Sequence, residues 1–383
     1  EISSNTGARL VLLGDTEQTK AVESGIPFAL LQRNGMSTAL MNEIQRQKGS
    51  PQLLKAVELA AVGQASESLA LVTEVAEIGA HELRYKQIAN EYVSLPQEKR
   101  DETLVITGTN ESRVKINALI RQELKIESSV EMTALTRLDT TQATRRYSKY
   151  YTPDSTIIQP EKDYLRYGLE RGKSYRVVEH GEGNTLIVEG EGGKRLTINP
   201  AHIKNLSVYK QEQQRYGVGE KLVITRNNAE LDVANGDRFT ITGIQANHIY
   251  LSDGKKEIAL DINQKQHLDY AYVTTVHSAQ GLTKSEVLMN IETKSRTVAR
   301  DWYYVGISRA KSRAKIFTDD IKKLPAAVSR ESQKTAALDL KNKTTQKINE
   351  KGRGKALTEP TRTKQIRPKQ PTEKQSEKGH AKS

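Results

Sequence analysis

The stretches DYAYVTTVHSAQG (residues 269–281) and WYYVGISRAK (residues 302–311) decide the fold of this chain. Each begins with an apolar run, at residues 270–273 and 302–307, and continues directly into a polar cluster. Short apolar runs bounded by turn residues are typical of strands buried on both faces of an α/β sheet. Ligands bind beyond the carboxyl ends of such strands. We therefore expect both runs to be strands and both polar clusters to project into the same crevice.

The residue types of the two polar clusters suit a phosphorylated ligand. Thr275 and Ser278 offer hydroxyl donors, and Gln280 offers an amide. Gly281 allows a close approach of the backbone. Arg309 provides a planar cationic fork that matches phosphate oxygens. The clusters together predict a site that handles phosphate groups.

The pattern T-x-H-S-A-Q-G followed by Y-V-G-I-S-R-A-K resembles motifs V and VI of superfamily 1 helicases. It is most similar to the RecD-like helicase region of conjugative relaxase-helicases of the TraI and TrwC group. Residues 14–18, G-D-T-E-Q, then resemble motif III of that family. The resemblance implies an α/β fold, namely a RecA-like second lobe with a parallel sheet and flanking helices. It also implies an inserted small SH3-like β-barrel, a disordered basic tail, and ATP with Mg²⁺ as the cofactor.

The resemblance assigns expected roles to individual residues of this sequence. The residues expected to act catalytically on the nucleotide are Gln18, Arg46 and Arg309. The other expected nucleotide-binding residues are Gly14, Asp15, Gln280 and Gly281. The expected DNA-binding residues are Thr109, Asn110, Tyr150, Asn227, Thr275 and His277. No residue of this sequence is expected to hold a metal ion.

Several of these residues also have a plain structural interpretation. Arg46 can be a solvated cation at a helix end, where its charge suits the helix dipole. Thr109 and Asn110 sit at a predicted helix N-terminus, where they can cap the helix, bind an anion, or both. Residues 145–151, RRYSKYY, interleave rings and cations as single-strand binders do. The same residues can instead form a strand that enters the barrel and carries solvated cations.

The remaining sequence predicts five segments. These are the end of a first lobe with motif III (1–30), the first part of the second lobe (31–127), the SH3-like insertion (128–267), the part of the second lobe with motifs V and VI (268–330), and a helix followed by the basic tail (331–383). Within them we expect a strand at residues 9–13, a helix capped by Ser37 or Thr38, and a helix over residues 53–76. A further helix at 83–92 precedes a strand at 104–106 and a helix around 116–120. The insertion contains short strand-like runs with hairpin signals at 192–193, 235–236 and 253–254, and residues 190–194, GEGGK, are a hairpin tip rather than a phosphate loop.

The composition restricts the functional classes. The chain contains no cysteine, which excludes disulfides and thiolate metal sites and fits a reducing cytoplasm. Residues 330–383 carry fifteen Lys and Arg against six Asp and Glu and so account for most of the net charge of +12. Binding of nucleic acid by the folded part must therefore be argued from sites. No apolar run predicts membrane insertion.

The family pattern predicts a function for a longer protein rather than for this chain alone. The sequence has no G-x-x-x-x-G-K-[ST] loop and no Asp-Glu magnesium site of the family type, which in the family lie upstream of motif III. The first residue is Glu1 rather than Met, so we expect a C-terminal fragment that does not hydrolyse ATP by itself.

The expected function of the intact protein is translocation on single-stranded DNA in the 5'-3' direction and duplex unwinding during conjugation. The expected partners are single-stranded DNA, a duplex junction, a conjugative coupling protein and type IV secretion components, in the cytoplasm of a bacterium and encoded on a plasmid. Two alternatives remain: a non-motor segment that binds single-stranded DNA or is recognised for secretion, and a RecD-like repair helicase.

Overall fold

The structure, a computed structural model, describes residues 6–16, 18, 27–41, 43–72, 74–138 and 140–331. The predicted tail and most of its preceding helix, residues 332–383, lie outside the described residues. The chain divides into a first unit of residues 1–21 and 36–332 and a second unit of residues 22–35 and 333–383. The second unit contains one described helix, α1 (Pro27–Arg33). The elements discussed below belong to the first unit.

The described helices and strands follow in chain order. The further helices are α2 (Pro51–Ala61), α3 (Ala65–Ala70), α4 (His81–Ser94), α5 (Gln97–Asp101), α6 (Asn110–Leu124), α7 (Gln142–Arg145), α8 (Arg300–Ile307) and α9 (Leu324–Val328). The strands are β1 (Glu74–Glu77), β2 (Thr103–Thr107), β3 (Val130–Arg137), β4 (Thr156–Pro160), β5 (Tyr175–His180), β6 (Leu186–Glu189), β7 (Arg195–Ile198), β8 (Leu206–Tyr216), β9 (Lys221–Ile224), β10 (Arg238–Gln245), β11 (His248–Ser252), β12 (Glu257–Asp261), β13 (Leu268–Tyr270), β14 (Val273–Thr275), β15 (Lys284–Ile291) and β16 (Ala310–Thr318).

A five-stranded parallel sheet forms the centre of the α/β domain. Its strand order is β1-β16-β15-β2-β14, and every neighbouring pair is parallel. Successive side chains of a strand point to opposite faces, so Leu104 and Ile106 enter one hydrophobic core while Val105 enters the other. Helices α2, α3, α8 and α9 supply the first core, and α4 and α6 supply the second. The α/β class is confirmed, and the sheet with flanking helices fits a RecA-like fold.

The region between α6 and the last part of the parallel sheet is all β, but it forms two antiparallel sheets. A six-stranded sheet has the order β3-β8-β4-β5-β6-β7, and a five-stranded sheet has the order β12-β11-β10-β9-β13. The predicted single small barrel is therefore too simple. The 11-residue strand β8 pairs with both β3 and β4. As a result, the part of the insertion that precedes β9 forms a second sheet. The tip at residues 190–194 joins β6 to β7, as predicted.

The insertion joins the parallel sheet through a very short connection. We expected one strand at residues 270–273, but the run is divided between two sheets. Tyr270 ends β13, which pairs with β9 of the insertion, and Val273 begins β14, which pairs with β2. Ala271 and Tyr272 link them, and the Ala271 amide donates to the Lys221 carbonyl at 2.9 Å. The pattern missed this division because both halves are equally apolar.

Charged pairs fasten the insertion to α6 and its neighbourhood. Arg121 Nε donates to the buried Glu220 carboxylate at 2.6 Å, and its guanidinium lies 3.9 Å from the centre of the Tyr270 ring. Arg113 pairs with Asp269 at 2.8 Å. Burial raises the pKa of Glu220, and the Arg121 guanidinium opposes that shift. The insertion therefore contacts the α/β domain through specific partners as well as through the chain connections.

The predicted strand at residues 302–307 is wrong, because these residues form helix α8. Almost every position of this run is apolar, and a short run of that kind has no periodicity that separates a strand from a buried helix. Gly306 allows the helix to lie directly on the sheet, since a Cβ there would overlap Met289 Cε. As a result Arg309 precedes strand β16 and does not follow a strand.

Three other element predictions near the N-terminal end are also wrong. Residues 9–13 are not a strand, and Leu10 and Leu13 are 74% and 83% exposed. An apolar run becomes a strand only where a neighbouring strand accepts its backbone hydrogen bonds, and no described strand lies beside this one. The helix expected after Ser37 or Thr38 does not form, and residues 46–49 form a turn instead. The helix expected over 53–76 is divided into α2, α3 and β1.

Candidate functional site

The predicted site residues lie at two opposite edges of the parallel sheet. Thr275, the last residue of β14, is in register with Thr107 at the carboxyl end of β2. Lys284, the first residue of β15, is in register with Ala310 at the amino end of β16. Arg309 therefore belongs to the amino edge, whereas Thr275 belongs to the carboxyl edge. The expectation that both polar clusters project into one crevice is wrong, because α8 is a helix.

Arg309 is held at the amino edge and is 2% exposed. Its Nε donates to the Val305 carbonyl at 3.1 Å, its Nη1 to the Leu282 carbonyl at 3.4 Å, and its Nη2 to Ser308 Oγ at 3.2 Å. Burial lowers the pKa of Arg309, and the nearby charge of Arg46 lowers it further. The guanidinium thus donates to neutral acceptors, lies near a second cation, and also feels the Asp15 carboxylate, which opposes the lowering of its pKa.

Arg46 and Gln47 approach the same place from a turn. Arg46 is exposed, whereas the next residue, Gln47, is fully buried. Gln47 Nε2 donates to the Ser308 carbonyl at 3.2 Å and also to the Ala310 carbonyl. The predicted helix did not form, but Arg46 still lies beside Arg309. Two of the expected catalytic residues are therefore brought together.

The motif III segment contacts helix α8. Asp15 Oδ2 accepts a hydrogen bond from Tyr304 Oη at 3.3 Å and one from Gln18 Nε2 at 3.0 Å. Burial raises the pKa of Tyr304 to about 12, with a further contribution from the Asp15 carboxylate. Gly14 lies exposed beside Asp15. Asp15 and Gln18 thus reach the same edge as Arg309, and Tyr304 is a contact that the sequence did not predict.

Gln280 and Gly281 lie in the segment that leads from the carboxyl edge to the amino edge. Both are exposed, and Gly281 has a left-handed φ of 86° that favours glycine. Leu282, whose carbonyl accepts from Arg309, follows them directly. This places the predicted nucleotide-binding residues of motif V near the arginines.

The carboxyl edge presents hydroxyl and amide groups in a connected network, to which paired charged residues contribute. Thr109 is the N-cap of α6, where its Oγ1 accepts from the Ser112 amide at 3.2 Å. Ser112 Oγ lies 2.6 Å from both Thr107 Oγ1 and Thr109 Oγ1. Asn110 Oδ1 accepts from Arg113 Nε at 2.9 Å. The capping interpretation of Thr109 is correct, and a capped N-terminus can also bind an anion.

Beneath Thr109 this network continues into the core. Asn290 Nδ2 donates to Thr107 Oγ1 at 3.0 Å, and Asn290 Oδ1 accepts from Arg84 Nε at 2.8 Å. Arg84 also pairs with Glu292 at 3.4 Å. Asn290 and Arg84 are buried. The sequence analysis missed them, although an asparagine inside the apolar run VLMNI (residues 287–291) is a signal of a buried polar role.

Thr275 and His277 complete the carboxyl edge. Thr275 Oγ1 donates to Ser278 Oγ at 3.3 Å, and His277 is exposed. Both residues follow directly from the end of β14. With Thr109 and Asn110, they form a row of polar groups along the end of the sheet.

The insertion holds the two remaining predicted DNA contacts, which the structure keeps apart. Asn227 lines a cavity of about 460 Å³ between the two antiparallel sheets, and its Oδ1 accepts from the Asn235 amide at 2.7 Å. Tyr150 is 51% exposed, with Lys149 Nζ 5.1 Å from the centre of its ring. Tyr150 belongs to a 3-10 turn rather than to the strand that was the alternative.

The cavity between the sheets is strongly polar. Its walls include the side chains of Arg137, Arg171, Arg226 and Gln159. Gln159 is buried, and its Oε1 has no hydrogen-bond partner among the described residues. The sequence analysis missed these residues because they come from separate strands and loops.

Comparisons with known proteins support the family pattern. Residues 1–82 match the AAA domain family, and residues 270–316 match the family of UvrD-like helicase C-terminal domains. The chain is 25% identical over 389 residues to the multifunctional conjugation protein TraI of Escherichia coli strain K12, with 87% of this chain and 22% of that protein covered. A second E. coli TraI is 24% identical over the same shares.

These similarities support a superfamily 1 helicase region of the TraI type in this chain. This TraI-type helicase region spans about 22% of the length of the curated relatives that it matches. Among solved structures, it is similar to Pif1 helicases at forked double-stranded DNA (15% identity, 80% of this chain and 55% of that chain, TM-score 0.37). It is also similar to the Bacteroides Pif1 helicase with ADP-AlF3 and single-stranded DNA (15% identity, 90% and 66%, TM-score 0.31).

No helix among the described residues of this helicase region is long and apolar enough to span a membrane.

Proposed function

We propose that this chain is the second-lobe part of an ATP-dependent motor that translocates on single-stranded DNA in the 5'-3' direction and unwinds duplexes, within a conjugative relaxase-helicase. The observation that carries the proposal is the arginine pair Arg46 and Arg309. The two cations lie close enough for Arg46 to lower the pKa of Arg309, and the Asp15 carboxylate, which acts in the opposite direction, forms no ion pair with either arginine among the described residues. Like charges held together raise the free energy of the site, and a polyanion such as a triphosphate lowers it.

The residues of the amino edge fit ATP. Arg46 is exposed and available to phosphate oxygens, and Gln18 lies nearby through Asp15. Arg309 reaches an external phosphate only after its guanidinium leaves the carbonyls of Val305 and Leu282. ATP, bound with Mg²⁺, supplies a phosphoanhydride bond whose hydrolysis releases free energy. Arg309 then stabilises charge that develops on the transferred phosphoryl group.

The carboxyl edge and the insertion fit single-stranded DNA. Thr109 and Asn110 stand at the N-terminus of the 15-residue helix α6, and Thr275 and His277 lie on the same edge. Hydroxyls and a helix N-terminus are common ligands of backbone phosphates.

In the insertion, Arg137, Arg171 and Arg226 line one cavity together with Asn227, and Tyr150 presents an exposed ring for a base. We propose the duplex junction, a coupling protein and type IV secretion components as further partners of the intact protein on the basis of its TraI relatives.

One observation favours a second candidate, a non-motor segment that binds single-stranded DNA or is recognised for secretion. Arg309 is almost completely buried and donates three hydrogen bonds within the chain, as an arginine with a structural role does. In that case the DNA-binding edge functions without turnover. The two candidates differ in the expected consequence of removing the guanidinium.

The test is Arg309→Ala in the intact protein. We expect the turnover of single-strand-stimulated ATP hydrolysis to fall by on the order of 10³ to 10⁵, with duplex unwinding lost and single-strand affinity nearly unchanged. Arg309→Lys should lose nearly as much ATPase turnover, because an ammonium group lacks the planar fork of the guanidinium. An alanine variant that keeps most of its ATPase, or that loses DNA binding in proportion, contradicts the proposal.

The 383-residue chain itself is the matched control and should show no single-strand-stimulated ATPase. Two near-matches to the missing elements do not replace them. Residues 168–174, GLERGKS, are one residue short of a phosphate loop and lead into strand β5 rather than a helix. Asp101 and Glu102 precede β2, and they pair with Lys221 at 2.7 Å and Lys284 at 3.4 Å. Turnover by this chain would show that it holds a complete nucleotide site.

A further inference from the structure

Gln47 makes a contact with the arginine segment that the sequence pattern does not predict. Its side chain is completely buried, and its amide nitrogen donates to the carbonyls of both Ser308 and Ala310. These two residues flank Arg309 on either side. The carbonyl of Arg309 itself accepts from the Lys284 amide at 3.0 Å. Three successive carbonyls, centred on Arg309, are therefore fixed by hydrogen bonds.

The chemistry of this contact requires a primary amide. The Gln47 nitrogen carries two N–H groups, one for each carbonyl, and no other uncharged side chain of similar length provides two donors on one atom. Glutamate has the same shape but would place oxygen against two carbonyl oxygens. Methionine has a similar volume but no donor.

The amide oxygen of Gln47 indicates that glutamine is needed at this position for its two N–H donors. Gln47 Oε1 is buried and has no hydrogen-bond partner among the described residues. An unpaired buried acceptor costs free energy, which a residue that only filled space would avoid. Glutamine at this position therefore leaves one buried acceptor unpaired but places two donors on the backbone around Arg309.

Gln47 also joins the two arginines. Arg46 is its immediate neighbour in the chain, so the contacts to Ser308 and Ala310 fix the Arg46 backbone relative to the Arg309 backbone. The arginine pair therefore keeps its spacing although Arg46 lies in a turn and not in a regular helix.

We infer that Gln47 is a positioning residue for the arginine pair: by holding the backbone on both sides of Arg309, it restricts the movement of the guanidinium toward a nucleotide to side-chain rotation. This inference rests on the proposed function. Gln47 itself does not touch the nucleotide. Its loss leaves both arginines present but no longer held at a fixed spacing.

The experiment compares Gln47→Glu, Gln47→Met and Gln47→Asn with wild type in the intact protein. The matched control is Gln45→Glu, two residues earlier and exposed. A displacement of about 1 Å at a catalytic group can lower turnover by on the order of 10², so we expect kcat for single-strand-stimulated ATP hydrolysis to fall by that order in the Glu and Met variants. The Asn variant keeps the amide on a shorter stem and should be intermediate. The KM for ATP and the Kd for single-stranded DNA should stay within about twofold, since the bound ground states do not require the fixed spacing.

A double-mutant cycle separates positioning from a general structural role. If Gln47 acts through Arg309, then Gln47→Met should lower kcat no further in an Arg309→Ala background. Affinity for ADP with aluminium fluoride should fall in Gln47→Met while affinity for ADP alone is retained.

Wild-type kcat in Gln47→Met, or losses that multiply in the double mutant, would overturn the inference. Should the Met and Glu variants not fold, the Asn variant is subjected to the same cycle, and wild-type kcat there overturns it equally. A wild-type protein without single-strand-stimulated ATPase instead refutes the proposed function.

Discussion

The two edges of the parallel sheet differ in whether their buried cations have a paired carboxylate. At the amino edge Arg46 and Arg309 lie near each other without an ion-pair partner among the described residues, Arg309 donates to neutral carbonyls, and the Asp15 carboxylate offsets part of the effect of Arg46. At the carboxyl edge the hydroxyls around Thr109 are neutral, and the two nearby cations are paired, Arg84 with Glu292 and Arg113 with Asp269. The two arginines of the amino edge therefore lack an ion-pair partner among the described residues, whereas both cations near Thr109 have one.

This difference predicts which property each edge controls. Groups that lack a counter-charge contribute little to folding and much to the stabilisation of an incoming anion. Groups in a satisfied buried network contribute to folding, because removal of one leaves the others unpaired. Substitutions at the amino edge should thus change turnover, and substitutions at the carboxyl edge should change stability and DNA affinity.

After Arg309→Ala, the largest expected effect is that of Arg46→Ala at the amino edge. Loss of one charged donor to a reacting phosphate lowers kcat by on the order of 10², while the melting temperature and single-strand affinity remain those of wild type. Steady-state ATPase of the intact protein measures it. The control is Lys48→Ala, which removes an exposed cation paired with Glu43 at 3.6 Å from the same turn. Equal losses in both variants would show that only the general charge of the turn matters.

Asn290→Leu should have an intermediate effect, at the carboxyl edge. It leaves Arg84 Nε and Thr107 Oγ1 without the partners they have at 2.8 and 3.0 Å, and we expect a loss of about 2 kcal/mol in the free energy of unfolding. Urea denaturation of the 383-residue chain measures it. Asn205→Leu, at an exposed position, should change stability by less than about 0.5 kcal/mol. An Asn290 variant as stable as wild type would mean that the network is not cooperative.

Thr109→Val should have the smallest effect. It removes a hydroxyl that caps α6 and lies at the proposed DNA edge. We expect single-strand affinity to fall by about 1 kcal/mol, with kcat at saturating DNA unchanged. Fluorescence anisotropy with an oligothymidylate measures the affinity, and Thr109→Ser, which keeps the hydroxyl, is the control. A fall in kcat at saturating DNA would show that the carboxyl edge also controls turnover.

The α/β part of the fold could be predicted because its signals are local. The strand at residues 104–106, the polar turn after it and the helix around Ile116 and Ile120 all lie where the pattern placed them. The helix through Ile88 and Tyr92 does as well. Each of these elements contains enough residues for its apolar period to be recognised.

The remaining elements depend on partners that are distant in the sequence. The apolar positions of residues 302–307 fit the period of a helix and that of a strand equally well, so only packing on the sheet decides that the run is a helix. The run at residues 9–13 has strand-forming residues but no described neighbour. The second antiparallel sheet arises because β8 is long enough to pair with two strands at once.

The candidate site was predictable to a similar degree. The motif pattern identified Arg46, Arg309 and Thr109 as functional candidates, and the structure places the two arginines near each other. It could not identify Gln47, Tyr304 or the arginines of the insertion cavity, because each gains its role from a contact between residues far apart in the chain. The roles of the predicted residues in nucleotide and DNA binding remain predictions.

The connection of Ala271 and Tyr272 gives the insertion a mechanical property. Two extended residues span about 7 Å, so this link has almost no slack, and the Arg113–Asp269 pair stiffens it from the side. A force on the insertion is then transmitted directly to Thr275 at the end of β14, three residues beyond the link. The insertion is therefore held to the proposed DNA-binding edge by a link with almost no slack, and strain between a blocked strand and the sheet would reach Thr275 through the other two residues of β14.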